Sequence, residues 1–168
     1  NYILKYKIRT YYEFTKDGNS QITIFSDNRS SKLNKFCKSI HYKDLEYQNI
    51  NYIYLIPSNL EHIIIYNIEN NEIIEIPILD GITPGDNKYF TDAVLVNINI
   101  SESFPIPEPY LFLVPYNATK LIRLDIISNQ LLYSTENVFK FNKFGSGSVD
   151  HKGNIYFFNN DGYILYYK

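Results

Sequence analysis

Two stretches of the chain, residues 53–59 and residues 111–117, repeat one another. The first reads Ile-Tyr-Leu-Ile-Pro-Ser-Asn and the second reads Leu-Phe-Leu-Val-Pro-Tyr-Asn, so the proline, the asparagine and the apolar positions stay in register. The segments that follow correspond at the same offset, 62–68 with 120–126 and 71–74 with 129–132. A repeat of this length requires a fold made of copies of one small unit, each of which buries its apolar side against the next.

Shortened copies of the same phrase extend the repeat toward both ends of the chain. Residues 154–158 match its first half, and residues 163–168 match residues 2–7 almost letter for letter. The apolar residues that align across the copies are Ile3, Ile63, Leu121 and Ile164, and they delimit three periods of unequal length. The sequence therefore predicts one repeat domain over 1–168, with approximate repeats 1–50, 51–108 and 109–168.

Each period is predicted to form four short antiparallel strands. In the best-defined copy the predicted strands are 53–56, 62–68 and 73–78, with a fourth near 92–98. Proline and asparagine in the connections suit tight turns, because proline presets φ and asparagine tolerates a left-handed backbone. Composition agrees, since the chain holds 25 Ile and 17 Tyr but only two Ala. Those residues favour strands over helices, so we expect an all-β fold of four-stranded sheets, the unit of a β-propeller blade.

Two phrases within the repeat carry a resemblance to known proteins. Residues 153–156, Gly-Asn-Ile-Tyr, and the pair of segments 114–118 and 125–129 resemble the blades of kelch-type or related β-propellers. The similarity covers residues 47–168 and, more loosely, residues 1–30. It implies a propeller fold and a role as a non-catalytic platform or scaffold that binds a protein partner through its loops.

The number of repeats bears on how such a fold would be completed. Three repeats fall short of the roughly 4–8 blades that close a propeller ring. We therefore expect this chain to be part of a larger propeller, completed by further blades of the same parent chain or by an oligomer. The sequence contains no Met, which predicts a processed chain or a domain cut from a longer protein.

One helix and one tight hairpin turn are predicted between the repeated strands. Apolar residues at helical spacing predict a helix over 32–43, with Ser31 as its cap and a stripe of three lysines on the opposite face. The apolar residues are Leu33, Phe36, Cys37 and Ile40, and the lysines are Lys32, Lys35 and Lys38. Asp161-Gly162 predicts a type I′ hairpin turn with glycine at the second central position.

The residues that could carry chemistry do not form a recognisable catalytic or metal-binding motif. His41, His62 and His151 are scattered, and Cys37 is the single cysteine, so we assign no metal, cofactor or catalytic residue. Residues 148–156 resemble the Asp-box of sialidase-like propellers, in which the aspartate, here Asp150, stabilises a hairpin turn. Gly145 to Ser148 is interpreted as part of a strand.

The charge and the hydropathy of the chain limit the kinds of partner that we expect. A net charge of −2 and a pI near 5.9 disfavour nucleic-acid binding. No apolar stretch approaches the roughly 18 residues of a membrane span. The lone cysteine does not determine the compartment of the protein, although it slightly favours the cytoplasm.

An alternative function stands beside the binding platform. It is a sugar-acting hydrolase or lectin-type propeller that uses loop carboxylates and aromatic rings. The carboxylates considered for it are Asp80, Asp86, Asp92 and Glu108. Most aromatic side chains are instead predicted to pack between blades, among them Tyr54, Tyr66, Phe112, Tyr156 and Phe158.

Overall fold

The structure, a computed structural model, divides the chain into two compact units, residues 1–33 and 34–168. It describes residues 6–15, 18–27, 36–44, 50–83, 88–99, 107–135, 143–159, 161–162 and 164–167. Every regular element in these residues is a β-strand, which confirms the predicted all-β class. Among the same residues, no helix has the length and hydrophobicity that crossing a membrane requires.

The first unit contains one antiparallel pair of strands, which we call sheet A. Strand β1 spans Tyr6–Thr15 and strand β2 spans Gly18–Asp27. Their register runs from Tyr6 opposite Asp27 to Thr15 opposite Gly18, so the two strands are paired along their whole length.

The second unit contains three antiparallel sheets in which neighbouring strands follow one another in the chain. Sheet B consists of β3 (Phe36–Asp44), β4 (Ile50–Pro57), β5 (His62–Asn67) and β6 (Ile73–Pro77). Sheet C consists of β7 (Phe90–Asn99), β8 (Pro107–Pro115), β9 (Ile122–Asp125) and β10 (Gln130–Tyr133). Sheet D consists of β11 (Phe144–Val149), β12 (Ile155–Asn159) and β13 (Ile164–Tyr167).

Sheet C lies between sheets B and D because its strands alternate apolar residues toward both neighbours. Leu111 and Leu113 of β8 pack with sheet B, in a core that includes Tyr54 and Ile56. The intervening Phe112 packs with sheet D, beside Phe157. Side chains of successive strand residues point to opposite faces, so a nearly continuous apolar run supplies two cores at once.

The first strand of each sheet begins in the same way. Phe36, Phe90 and Phe144 open these strands at equal intervals along the chain, and each is followed by a register shift of the bulge type. The later strands of sheets B and C repeat at a longer interval. The difference arises because Phe90 to Pro115 spans four more residues than Phe36 to Pro57, so the first hairpin of sheet C is longer.

Two predicted elements are wrong. The segment 36–44 forms strand β3, not a helix, and residues 31–35 lie outside the described part of the chain. The strand predicted near 92–98 exists as β7, but it is the first strand of sheet C and not the fourth of sheet B. The predicted strands 53–56, 62–68 and 73–78 are confirmed as β4, β5 and β6. The predicted repeats at 51–108 and 109–168 consequently start on the second strand of a sheet.

The turns follow the predicted residue types, with one change in position. Asn71 and Asn129, which are equivalent in the repeat, both have a left-handed backbone, with φ of 60° and 55°. Gly162 has φ of 85°, and its N–H donates to the carbonyl of Asn159 at 3.3 Å. This bond makes Gly162 the fourth residue of the turn. The predicted type I′ assignment is therefore wrong, and the hairpin has a longer loop closed by a left-handed glycine.

Candidate functional site

The first strands of the three sheets are joined by one polar network. Asp92 on β7 accepts a hydrogen bond from the Gly147 N–H on β11 at 3.2 Å. The same carboxylate forms an ion pair with Lys38 on β3, with 2.6 Å between Nζ and Oδ1. Lys38 also donates to the carbonyl of Ala93 at 2.9 Å. The charges of this network are matched to one another, so it serves to hold the sheets together.

Sheets C and D approach closely at a glycine. A Cβ atom added at Gly147 would lie 2.5 Å from Val94 Cγ2 and 2.8 Å from Val114 Cγ2. Glycine is therefore required at this position by the packing of the two sheets, since real Cβ contacts of that length do not occur.

The best candidate for a binding site is a cleft of about 260 Å³ between sheet C and the outer strand of sheet D. We call it the C–D cleft. Its lining residues are Phe112, Leu121, Arg123, Leu132, Tyr133, Ser134 and Tyr167. Tyr167 of β13 closes one side by packing on Phe112, with ring centroids 5.6 Å apart. Five of the seven lining residues are apolar or aromatic, and the other two are Ser134 and the cationic Arg123.

Arg123 supplies that charge, and its guanidinium stacks on an aromatic ring. Its guanidinium carbon lies 4.4 Å from the ring centroid of Tyr110. The Tyr110 hydroxyl donates to Glu108 at 2.6 Å, and this hydrogen bond, with burial, raises the pKa of Tyr110 to about 12. Stacking on a ring leaves the N–H groups at the edge of a guanidinium available. Within the described residues Arg123 makes no ion pair, so it can bind a carboxylate.

The carboxylates considered for a hydrolase do not meet in one site. Asp80 pairs with Lys120 and accepts the Gly81 N–H at 2.6 Å, and these bonds lower its pKa. Asp92 belongs to the network of the first strands, whereas Glu108 lies at the opposite end of the β7–β8 pair. Six residues of β8 separate Glu108 from the partner of Asp92, a distance of about 20 Å. Asp86 lies outside the described residues.

The histidines and the cysteine also lie apart from one another. Among the described residues, no three His, Cys, Asp or Glu side chains are grouped as a metal site would need. His41 interacts with the side chain of Asn51 at 2.9 Å, and His151 lies in an exposed turn. Cys37 follows Phe36 at the bulge of β3 and is directed toward the carbonyls of Ile56 and Pro57. Burial raises the pKa of its thiol to about 12.

Asp150 has the structural role that the Asp-box resemblance implies. Its carboxylate accepts hydrogen bonds from the N–H groups of Lys152 and Asn154, at 2.8 and 2.9 Å. It also accepts from the side chains of Asn154 and Tyr156, at 2.7 and 3.1 Å. The bond from the Asn154 side chain is the main cause that lowers the pKa of Asp150 to about 2. The turn between β11 and β12 is stabilised by this carboxylate.

The predicted aromatic packing is confirmed in part. Tyr54, Phe112 and Tyr66 are buried, Tyr156 is half-buried, and Phe158 is 37% exposed. The predicted packing of Phe158 between sheets is therefore wrong.

Sequence reasoning missed the two residues that distinguish the C–D cleft, Arg123 and Leu132. The available signal was the repeat itself. When the two copies are aligned, Arg123 replaces Ile65 at an otherwise apolar position. Lys38, predicted on a helix, belongs instead to the ion pair with Asp92, and Lys32 and Lys35 lie outside the described residues.

No protein-family model matches this sequence, and no curated protein matches it either.

Proposed function

We propose that this chain is a section of a propeller-type array of sheets and serves as a non-catalytic platform that binds a protein partner at the C–D cleft. The observation that carries the proposal is the make-up of the cleft. Apolar and aromatic side chains line it together with Ser134 and a single arginine that makes no ion pair within the described residues. Such a lining binds a ligand by burial, by stacking and by one charge-assisted contact.

The propeller arrangement is supported by the repeated packing of the sheets. Tyr54 and Ile56 of sheet B face sheet C, and their equivalents in the repeat, Phe112 and Val114, face sheet D in the same way. The first strands of the three sheets lie side by side, connected through Asp92. Sheets that stack with one fixed geometry, first strand beside first strand, are what a propeller-type array requires.

The experiment that tests the binding role uses site-specific crosslinking. A photoreactive amino acid is placed at Leu132, a 40% exposed cleft residue, and in a second protein at Leu79, which is 82% exposed and outside the cleft lining. We expect one partner protein to crosslink at position 132 and not at position 79. The crosslink at position 132 should be lost in the Arg123→Leu variant. Adducts that are equal at both positions, or that persist in Arg123→Leu, would reject the cleft as the binding site.

The hydrolase alternative is tested separately. Turnover of a panel of chromogenic glycosides is measured for the parent protein and for Asp80→Asn, Asp86→Asn, Asp92→Asn and Glu108→Gln. A substrate whose turnover collapses in one of these variants while the fold is retained would replace the platform proposal.

A further inference from the structure

We infer that the C–D cleft receives the C-terminal residue of a partner chain, with the terminal carboxylate on Arg123 and an apolar side chain against the apolar lining. The inference rests on the proposed binding role and specifies the group that binds. Three observations carry it, namely a cation at an apolar position of the repeat, neighbouring carboxylates that have other partners, and the small volume of the cleft.

Arg123 occupies a position that is apolar in the other copy of the repeat. The register places it between Phe112 and Leu132 on the neighbouring strands of sheet C. Its counterpart in sheet B is Ile65, which is fully buried. Packing does not require an arginine at this position, and the half-buried guanidinium costs free energy unless an anion accompanies it. The residue is therefore suited to a ligand and not to the core.

Two carboxylates lie close to the ring on which Arg123 stacks, and both have other partners. Glu108 accepts the hydroxyl of that ring, Tyr110, at 2.6 Å. Asp125 accepts two backbone N–H groups of the following turn, at 2.9 and 3.1 Å. Among the residues that the structure describes, neither carboxylate forms an ion pair with Arg123. The N–H groups at the edge of the guanidinium can therefore bind a carboxylate supplied by a ligand.

The charge and the apolar side chains lie toward different ends of the cleft. The guanidinium of Arg123 stacks on Tyr110, which lies opposite Asp125, two residues further along β9. Leu121 lies two residues from Arg123 in the other direction and also lines the cleft. A ligand that matches this lining carries an anionic group and an apolar group side by side, as the last residue of a polypeptide does.

The size of the cleft selects a single residue. Its volume of about 260 Å³ is below the roughly 300–1,000 Å³ of sites that enclose a drug-sized ligand. A terminal residue has its carboxylate and its side chain on the same Cα, so both reach the cleft together. An acidic residue inside a chain would bring peptide groups on both of its sides against apolar side chains, where unpaired N–H and C=O groups are costly. The cleft therefore favours a terminal carboxylate over an acidic side chain.

The test uses the 168-residue protein and a fluorescent hexapeptide, Gly-Ser-Gly-Ser-Gly-Phe, with a free carboxyl terminus. We expect saturable binding that amidation of the terminus weakens about tenfold, the effect of one charge-assisted contact. A terminal Ala in place of Phe should also weaken binding about tenfold, because less apolar surface is buried. The inference is overturned if the free-acid peptide shows no saturable binding up to about 1 mM, or if the acid and the amide bind alike.

A second peptide separates a terminal carboxylate from an acidic side chain. Gly-Ser-Asp-Phe-Gly-Ser with an amidated terminus has a carboxylate and a Phe side chain inside the chain. It should bind about tenfold more weakly than the free-acid peptide. Equal or tighter binding of this internal acidic peptide would overturn the assignment to a terminal residue.

Variants of the protein test the role of Arg123. Arg123→Gln should abolish the difference between the acid and the amide, while the preference for a terminal Phe over Ala persists. Arg123→Lys keeps the charge and should retain part of the difference. Lys152→Gln, which removes an exposed cation outside the cleft lining, is the matched control and should leave the difference unchanged. A difference that persists in Arg123→Gln, or that is lost in Lys152→Gln, would reject Arg123 as the residue that binds the carboxylate.

The partner identified by crosslinking distinguishes this inference from the proposed platform function. Removal of the last two residues of that partner should abolish its crosslink at position 132. A partner that crosslinks at position 132 equally well after this truncation would overturn the inference and leave the platform function intact.

Discussion

Lys38 and Asp92 form an ion pair that connects the first strand of sheet B to the first strand of sheet C, with 2.6 Å between Nζ and Oδ1. The other carboxylate oxygen of Asp92 accepts the N–H of Gly147 in sheet D. One side chain therefore bonds to both neighbouring sheets. Because hydrogen bonds to charged groups stabilise more than neutral ones, Asp92 should be important for the stability of the stack.

Removal of this carboxylate is expected to destabilise the protein. Asp92→Ala should lower the free energy of unfolding by about 2 kcal/mol, because Lys38 and the Gly147 N–H lose their acceptor. Asp92→Asn keeps an acceptor and should cost less. Urea denaturation measures both. Asp80→Ala is the matched control. It removes the ion-pair partner of Lys120, and it should have a smaller effect because Asp80 is more exposed than Asp92. Equal losses for Asp92→Ala and Asp80→Ala would contradict the prediction.

A methyl group at Gly147 is expected to separate sheets C and D. The added Cβ would lie 2.5 Å from Val94 Cγ2, so Gly147→Ala should destabilise the protein by about 1–3 kcal/mol, as overpacked cores do. The cost should fall when Val94→Ala is combined with it, because the nearer of the two clashing methyl groups is removed. Ser148→Ala, at the next residue, is exposed and provides the control. Additive effects of Gly147→Ala and Val94→Ala would refute the contact as the cause.

The contrast between β4, β5 and β6 on one side and β3 on the other shows what the sequence could predict. The repeat located β4, β5 and β6, because strand and turn residues recur there in fixed order. It could not locate β3, since Phe36, Cys37 and Ile40 also fit a helical spacing and the first strands repeat at a different interval from the later ones. Only pairing with β4 distinguishes the two interpretations, and pairing is a long-range contact.

The C–D cleft was beyond sequence reasoning for a related reason. Arg123 differs from Ile65 in a plain alignment of the repeats, but the meaning of that difference depends on which sheet covers it. The structure shows that sheet D has three described strands and leaves Leu132 exposed. The packing of Tyr167 on Phe112 was needed before the arginine could be placed at a cleft.

Removal of one hydroxyl is expected to stabilise the core between sheets B and C. Tyr54 is fully buried, burial raises its pKa, and its hydroxyl has no hydrogen-bond partner among the described residues. Tyr54→Phe should raise the free energy of unfolding by about 1 kcal/mol, because an unsatisfied buried polar group is removed. The equivalent residue of sheet C is already Phe112, so Phe112→Tyr is the reverse test and should destabilise. Loss of stability in Tyr54→Phe would show that the hydroxyl has a partner.

The left-handed backbone at Asn129 is expected to accept glycine more readily than alanine. Asn71 and Asn129 have φ of 60° and 55°, a conformation that costs a residue other than glycine or asparagine about 1–2 kcal/mol. Asn129→Ala should therefore destabilise the protein by about 1 kcal/mol, and Asn129→Gly should be close to neutral. Ser128→Ala is the control at an adjacent exposed residue. Thermal unfolding that ranks Ala above Gly at position 129 would contradict the prediction.

The turn at Asp150 is expected to lose stability in acid. Hydrogen bonds from Asn154, Lys152 and Tyr156 to the charged carboxylate lower its pKa to about 2 in the folded state. Its contribution to stability is complete above the ordinary pKa of about 4 and is lost as the pH falls toward about 2. Asp150→Asn removes the titrating group, so the Tm difference between parent and variant should be largest near neutral pH and should narrow over that interval.

Asp161→Asn is the matched control for this titration, because Asp161 lies in the next turn and its described hydrogen bond is made by its backbone N–H. The Tm of Asp161→Asn, measured at the same pH values, is the reference for removing a carboxylate from a neighbouring turn. A difference for Asp150→Asn that stays constant across the same interval would mean that the folded-state pKa of Asp150 is not lowered. The turn between β11 and β12 would then depend on the shape of the side chain and not on its charge.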